Sequence, residues 1–554
     1  MDEIAADWLL VGGRLHTLDP RRPEATALAV AGGRIAAVGT ERDVRRLRGR
    51  RTRVVDLRGA TVIPGLVDTH AHLDREGLKF LYPSLASCRS IADIQALLRR
   101  LAAGRPKGEW IVTMPVGTPP FYRDAPDNLR ERRWPTRADL DAAAPDHPVY
   151  IRGIWGYWNR PPVVSVANSL ALWRAGVTRD TRPPRGVEIL TDATGEPTGV
   201  FVEHNAIQVL EMTLMAVVPH FTHADRLRAL EISQRRYAAR GVTAVYEGHG
   251  VAPEVLAVYR EAHERGRLHL RCSLALSPTW TAADAPRAIP ELAAWAGGEG
   301  LGDDRLRVAG ICLHWGGDAE VARILHEAQP YTGWAGFVES ANSPEAYLAQ
   351  ARLAAEHGLR VGTLVTRCLP EVLDAWEKAA EAGPVRGWVA VHLNVAGPDD
   401  LARLRRLGAV VTTNPISYLW RSGAEEAARA GGSADRLLPH RSLLRAGIPF
   451  GLATDNKPAD PWLAFRAVIE RRDMTSGAVL GPRERLSRLQ ALRALTLGGA
   501  RVVQAHRDRG VLAPGRQADL AVLEDDPLAM SLEGVERLAC RLTMVGGRIV
   551  HGAR

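Results

Sequence analysis

The chain has 554 residues, which is too long for one compact core, so at least two domains are expected. Hydrophobic residues make up 46% and charged residues 24%, as in a globular protein, and the net charge of +9 is spread along the chain as arginine. Because the charge is spread out, the chain has no concentrated basic tract that would bind nucleic acid. It also contains no run of about 18 apolar residues, so no membrane-spanning helix is expected.

Cysteine usage and the amino-terminal residues predict a cytoplasmic protein. The first seven residues are acidic and have no signal-peptide pattern. The five cysteines are widely separated, odd in number and without a C-x-x-C pair, as expected in a reducing compartment. They are Cys88, Cys272, Cys312, Cys368 and Cys540.

Both ends of the chain are rich in short apolar segments separated by glycine turns. At the start these segments cover 6–15, 27–38 and 53–57, and at the end 518–523 and 542–550. Two strand-rich ends around a different middle predict one small β-sandwich domain, built from residues 1–60 and 508–554 together.

The middle of the chain, 61–507, alternates short apolar segments with amphipathic ones, as a parallel α/β architecture does. Candidate strands cover 61–67, 242–246, 268–276, 306–313, 359–365, 388–393, 409–413 and 450–454. Candidate helices include 224–239, 344–357, 369–382 and 398–407. Eight strands predict a closed (β/α)₈, or TIM, barrel.

About 170 residues separate the first candidate strand from the second, and 75–225 is therefore interpreted as an insertion. It is rich in proline and tryptophan, and includes Trp110, Trp134, Trp155, Trp158 and Trp173. We expect it to cover the carboxyl-terminal mouth of the barrel as a lid or wall. The alternative for each tryptophan is packing within the insertion itself, because large aromatic side chains dominate cores.

The most informative motif follows the first candidate strand, where His70 and His72 are one residue apart. Alternate side chains of a strand share a face, so the two imidazoles point the same way and can bind one divalent metal such as zinc. A polar loop with two histidines is the alternative. The preceding Pro64-Gly65, the apolar run and Asp68 argue against it.

Polar side chains follow most of the other candidate strands as well. Active sites of such barrels lie at the carboxyl-terminal strand ends. A single histidine there is usually structural, but this many at one end indicate a metal site. The residues are Glu247 and His249, Cys312 and His314, His392 and Asn394, Thr412, Thr413 and Asn414, and Asp455.

Several segments resemble the amidohydrolase superfamily, and within it the amidohydrolase-3 (YtcJ-like) branch. They are PGLVDTHAH at 64–72, WPTRADLD at 134–141 with PVY at 148–150, VANSLAL at 166–172, GEPTGV at 195–200, ATD at 453–455 and GVLAPGRQADL at 510–520. The resemblance spans almost the whole chain. It implies a metal-bearing (β/α)₈ barrel with a split β-sandwich, and hydrolysis of a non-peptide C–N bond in an amide, formamide or cyclic amide.

The chain departs from the family pattern at three places. Many relatives bridge two metals with a carboxylated lysine on strand four, but no lysine occurs between Lys107 and Lys378. Strand five, 360–367, contains no histidine, and the family histidine of the insertion is replaced near 155–158. We therefore expect a mononuclear site.

The expected metal site consists of His70, His72, Asp455 and His392. A catalytic zinc needs three protein ligands and an open position for water, which His70, His72 and one further group provide, and Asp455 could be that ligand, the proton acceptor or both. Asp455 would pass a proton from that water to the nitrogen leaving group, and His392 would help to stabilise the oxyanion. His314, Glu247, His249 and Cys312 are secondary candidates. Trp155, Tyr157, Trp158 and Trp315 are candidate substrate-binding residues.

Two other functions remain open from the sequence: a metal-dependent lyase or isomerase, such as a decarboxylase or hydratase, and a non-catalytic binding protein on a decayed fold. The expected partner is a small molecule, with an aromatic group as one option. Arg152, Arg160 and Arg421 could bind a carboxylate. Nucleic-acid and membrane partners are not expected, and a homodimer is one option for assembly.

Overall fold

The computed structural model describes residues 5–158, 161–431 and 433–552. Its centre is a parallel sheet of eight strands, and the sequence prediction of a (β/α)₈ barrel is confirmed. Barrel strands 1 to 8 are Leu66–Asp68, Val242–Val251, Arg271–Leu276, Leu306–Cys312, Val361–Leu364, Val389–Val391, Val410–Thr413 and Phe450–Leu452. Leu301–Gly302 adds a short antiparallel strand beside barrel strand 4.

Backbone hydrogen bonds join the last strand to the first. The amide of Thr69 donates to the carbonyl of Leu452 at 3.2 Å, and the amide of Asp455 donates to the carbonyl of His70 at 2.9 Å. The two segments that carry the predicted metal ligands are therefore neighbours, although about 385 positions separate them in the chain.

Helices follow the strands and bury their apolar faces against the sheet. They are His223–Ala238, Pro253–Glu264, Ala285–Ala296, Ala319–Glu327, Pro344–Glu356, Leu369–Ala379, Pro398–Leu407, Gly423–Arg429, His440–Ala446, Pro461–Glu470, Arg488–Arg493 and Gly499–Val502. Helix Pro398–Leu407 agrees with the prediction. The Asp400 carboxylate caps its amino terminus, and Gly408 ends it with a left-handed φ of 66°.

The predicted first strand, 61–67, is two strands in different sheets. Thr61–Pro64 pairs with Leu520–Leu523 in the terminal sheet, and only Leu66–Asp68 enters the barrel. Gly65 lies at the transition, where its amide donates to the carbonyl of Asp519. A Cβ at this position would lie 2.2 Å from Thr243 Oγ1, so the close approach requires glycine.

Both chain ends contribute to two further sheets that pack around Leu10, Leu28, Leu520 and Met544. Across one sheet the strands are, in order, Arg34–Gly39, Ala27–Ala31, Ala6–Val11 and Arg48–Asp56. Across the other sheet the strands are, in order, Arg548–His551, Cys540–Val545, Leu520–Leu523, Thr61–Pro64, Arg14–His16 and Glu24–Ala25. Glu41–Arg45 is a short helix beside them.

The long segment between barrel strands 1 and 2 contains its own five-stranded sheet. Its order is Val187–Thr191, Pro197–Glu203, Val163–Ala167, Val149–Ile151 and Ile111–Thr113. Its helices are Leu73–Glu76, Ile91–Ala103, Arg137–Asp141 and Ser169–Ala175. Trp155 and Trp158 are buried in a cluster that joins this sheet to residues 321–338 on the barrel.

Candidate metal-dependent active site

Barrel strand 1 ends in a buried hydrogen-bonded corner that orients the two histidines. The Asp68 carboxylate accepts the amide of His70 at 3.2 Å and both the amide and the hydroxyl of Thr454, from the segment after barrel strand 8. Burial raises the pKa of Asp68 to about 7. Gly248 permits the approach of His70, because a Cβ there would lie 3.1 Å from His70 Nδ1.

The segment after barrel strand 8 supplies a carboxylate and an ammonium group. Asp455 and Asn456 have left-handed φ angles of 51° and 57°, which non-glycine residues rarely adopt. The Asn456 side chain accepts the amide of His72 at 2.8 Å and donates to its carbonyl at 3.0 Å. This contact fixes the His72 backbone, and Lys457 Nζ donates to Asp455 Oδ2.

Three imidazoles surround the Asp455 carboxylate. The distance from Oδ1 to His72 Nε2 is 2.9 Å and to His70 Nε2 3.9 Å, and Oδ2 is 3.5 Å from His392 Nε2. Asn414 Nδ2, from the end of barrel strand 7, also donates to Oδ2 at 2.9 Å. The structure therefore brings together His70, His72, His392 and Asp455.

The electrostatics favour neutral imidazoles at His70 and His392 beside an ionised carboxylate. Burial lowers the pKa of His392 to about 4 and that of His70 well below its usual range. Burial acts to raise the pKa of Asp455, but Lys457 and His392 outweigh it and hold this pKa well below the usual range. Neutral imidazole and ionised carboxylate are the forms that coordinate a metal.

Glu247, at the end of barrel strand 2, orients His72. Its two oxygens are 2.7 and 2.6 Å from His72 Nδ1, so Nδ1–H donates to this carboxylate, and Nε2 on the other side of the ring lies 2.9 Å from Asp455 Oδ1. Burial and Arg75 act to lower the pKa of His72, but Glu247 and Asp455 outweigh them and raise it. A carboxylate behind a ligand histidine is a common arrangement in metal sites.

A metal ion fits the donor atoms left without partners here. Both ring nitrogens of His70 and Nε2 of His392 are buried and have no hydrogen-bond partner. Ligand atoms of His70, His392 and Asp455 lie within 4.8 Å of one another, as do those of His70, His72 and His249. Buried polar atoms normally have partners, so a cation is the natural complement.

The secondary candidates lie on the adjacent flank, at the ends of barrel strands 2 and 4. The rings of His249 and His314 are 5.4 Å apart, and Cys312 Sγ is 3.7 Å from His314 Nε2. Burial raises the pKa of the Cys312 thiol well above its usual range. Glu339, which sequence reasoning missed, has a ligand atom within 4.8 Å of His249 and His314.

A cavity of about 310 Å³ opens beside these groups. It is lined by His72, Arg75, Trp155, Tyr157, His249, Leu364, Thr366, Arg367, His392, Tyr418, Asp455 and Lys457. Trp155 and Tyr157 come from the long insertion, and their rings are 5.3 Å apart. One wall of the cavity is thus formed by the insertion.

Other predicted residues have different neighbours. The Trp158 ring lies 3.8 Å from Lys79 Nζ, and Trp315 packs against Tyr347. Arg152 is buried and pairs with Glu211 at 2.8 Å. Arg421 Nη1 donates to the carbonyl of Trp158, and Arg160 lies outside the described residues.

Sequence reasoning missed Lys457, Arg75 and Tyr418, which line the cavity. Lys457 was detectable, since it is one of four lysines and follows the predicted Asp455 by two positions. Tyr418 lies in Ile416–Arg421, a segment with no distinctive sequence pattern, and its hydroxyl is 3.5 Å from His392 Nδ1.

Helices in the described part of the chain are all too short or too polar to cross a membrane.

Comparison with known proteins defines the class. A metal-dependent hydrolase from Pyrococcus furiosus has a similar fold, with a TM-score of 0.67 and 23% identity, covering 94% of this chain and 99% of that one. N-substituted formamide deformylase of Arthrobacter pascens is 26% identical over 98% of this chain and 97% of its own length. The putative amidohydrolase YtcJ of Bacillus subtilis strain 168 is 25% identical, over 98% of each chain.

The family follows from the match of its sequence model. Residues 53–551 match the model described as the amidohydrolase family, so the chain belongs to that family. It is a metal-dependent hydrolase that acts on carbon–nitrogen bonds, as the sequence resemblance predicted.

Proposed function

We propose that this enzyme hydrolyses the C–N bond of a small amide, formamide or cyclic amide at a centre with one catalytic metal ion. His70, His72, His392 and Asp455 would hold the ion, and zinc suits their nitrogen and oxygen donors. The observation that carries the proposal is the set of buried imidazole nitrogens without partners around Asp455. The formamide substrate of the Arthrobacter relative supports the bond type.

The bound metal would lower the pKa of a water molecule towards 7 and polarise the substrate carbonyl. Asp455 Oδ1 lies among the imidazoles, where it can accept a proton from the attacking water. The same carboxylate can return that proton to the leaving nitrogen, so the C–O bond forms as the C–N bond breaks. Lys457 keeps this carboxylate ionised beforehand.

Other residues would position groups within the cavity. Glu247 holds His72 through Nδ1, which presents Nε2 to the centre. His392 is neutral and its Nε2 has no partner, so it can bind the ion or a carbonyl oxygen. Trp155, Tyr157 and Tyr418 give the cavity an aromatic side, which supports a small substrate with an aromatic group.

Arg367 suggests a second recognition element. It is exposed on the cavity wall, and within the described ranges its guanidinium forms no hydrogen bond or ion pair. A guanidinium in this position can pair with a carboxylate on the substrate. The preferred substrates would then be N-acyl compounds that combine an aromatic group with an acid.

The test is a panel of formamides, N-acyl amino acids and cyclic amides, with products identified by mass. We expect release of an amine and a carboxylic acid, and Asp455→Asn should lower kcat by roughly 10²-fold or more. Asp525→Asn, an exposed carboxylate, is the control. Normal turnover by Asp455→Asn, or loss of CO₂ instead of C–N cleavage, would contradict the proposal.

A further inference from the structure

Glu339 places an unsatisfied carboxylate oxygen at the edge of the site. Its Oε2 is buried and has no hydrogen-bond partner. No ion pair to Glu339 is found within residues 5–158, 161–431 and 433–552. A buried carboxylate oxygen without a donor or a cation is costly, so this position calls for a positively charged partner.

The backbone around Glu339 is anchored to the end of barrel strand 4. Gly316 and Asn342 exchange two backbone hydrogen bonds, of 3.1 and 2.9 Å. Asn342 Nδ2 also donates to the carbonyl of His314 at 2.9 Å. The segment that follows Glu339 is therefore joined to the residues around His314 by backbone and side-chain hydrogen bonds.

Two imidazoles face this carboxylate. Ligand atoms of His249, His314 and Glu339 all lie within 4.8 Å of one another. The His249 ring stacks on Phe337 at 4.0 Å, and no hydrogen bond to its nitrogens is found in the described part of the chain. Nδ1 of His314 accepts the amide of Ser340 at 3.4 Å and lies 3.2 Å from Ser340 Oγ. Nε2 lies 3.7 Å from Cys312 Sγ, and binding an ion through Nε2 would place the ring proton on Nδ1, where Ser340 Oγ can accept it.

From this arrangement we infer that His249, His314 and Glu339 form a second divalent metal site. Two imidazoles and a carboxylate suit zinc and similar transition metals. Zinc holds tetrahedral ligands about 3.4 Å apart, given bonds of about 2.1 Å. The observed spacing therefore needs only side-chain movement to close around an ion.

This site is independent of the proposed catalytic centre, because its ligands come from barrel strands 2 and 4 and the turn at Glu339. His249 lines the cavity, so an ion bound there would lie next to the substrate space. His249 also approaches His70 and His72, with ring centres 6.2 and 6.3 Å away. Assignment of His249 to the catalytic centre is therefore the outcome that would overturn the inference.

The experiment measures zinc per chain by elemental mass spectrometry after loading and desalting the full-length enzyme. We expect two zinc ions in the wild type, and one each in Glu339→Gln, His314→Gln and His70→Gln. Glu356→Gln, an exposed carboxylate on helix Pro344–Glu356, should keep two. The inference would be overturned if Glu339→Gln and His314→Gln both bound as much zinc per chain as the wild type. If His249→Gln alone then lost zinc, His249 would be assigned to the catalytic centre.

A second readout does not depend on desalting. Zinc added to chelator-treated enzyme should raise the Tm further in the wild type than in Glu339→Gln or His314→Gln at the same zinc concentration, because each bound ion adds to the stabilisation. An equal rise in all three proteins would overturn the inference. Amide hydrolysis is scored separately, so loss of the proposed activity with two zinc ions retained would contradict only the proposed function.

Discussion

The carboxylates on the two flanks of the barrel mouth differ in the partners that they have. On the flank of barrel strands 1, 6, 7 and 8, Asp455 receives hydrogen bonds from Lys457, Asn414 and His72. On the flank of barrel strands 2 and 4, Glu339 has an oxygen with no partner. The first flank supplies its own cation, whereas the second lacks one among the described residues.

Glu203, in the insertion, shows a third solution to the same problem. Its Oε1 accepts the amide of Val209 at 2.5 Å, and its Oε2 has no partner. Burial raises the pKa of Glu203 to about 8, so this side chain holds a proton at neutral pH. An unpartnered oxygen therefore indicates a metal site only where other ligands converge on it, as at Glu339.

The largest difference expected between the two flanks is in zinc affinity, and it concerns Glu247. Glu247→Gln removes the carboxylate that orients His72, so zinc affinity of the catalytic centre should fall about 10- to 100-fold. Competition with a chelator of known affinity measures it. Glu264→Gln, on the outer surface, should have no effect. Unchanged zinc affinity in Glu247→Gln would mean that His72 is not a ligand.

Lys457 is expected to set the acidic limit of activity. Lys457→Met removes the cation that holds the pKa of Asp455 low, so this pKa should rise. Asp455 is then protonated at a higher pH, and the acidic limb of kcat/KM should move towards neutrality. Lys378→Met, an exposed lysine, is the control. If both variants keep the wild-type profile, Asp455 is not the group that titrates.

The smallest effect concerns stability. The pKa of Glu203 is raised from 4.5 to about 8 on folding. Its protonated side chain therefore adds to the free energy of unfolding in full below about pH 4.5, and this contribution is lost as the pH rises to about 8. The slope is about 1.4 kcal/mol per pH unit. Glu203→Gln should gain Tm relative to the wild type between pH 6 and 8.5, with zinc content unchanged. A constant Tm difference across that range would exclude the raised pKa.

Local sequence patterns predicted a large part of this molecule. Eight apolar segments predicted the barrel, because strand and helix periodicities are local properties. His70-x-His72 predicted converging imidazoles, since alternation along a strand fixes their common face. The polar residues that follow candidate strands six and eight gave His392 and Asp455, and the family resemblance gave the expected chemistry. The single strand predicted at 61–67 was wrong, because the pairing partner of each half lies hundreds of positions away.

The sequence alone determined the repeating barrel, the histidine pair and the family, because each depends on neighbouring residues or on a recognisable motif. Only the tertiary structure decided that Lys457 faces Asp455, that Glu247 lies behind His72 and that Glu339 meets His249 and His314. These contacts depend on how distant strand ends converge at the barrel mouth. No local pattern encodes that convergence, since it arises from closing the sheet on itself.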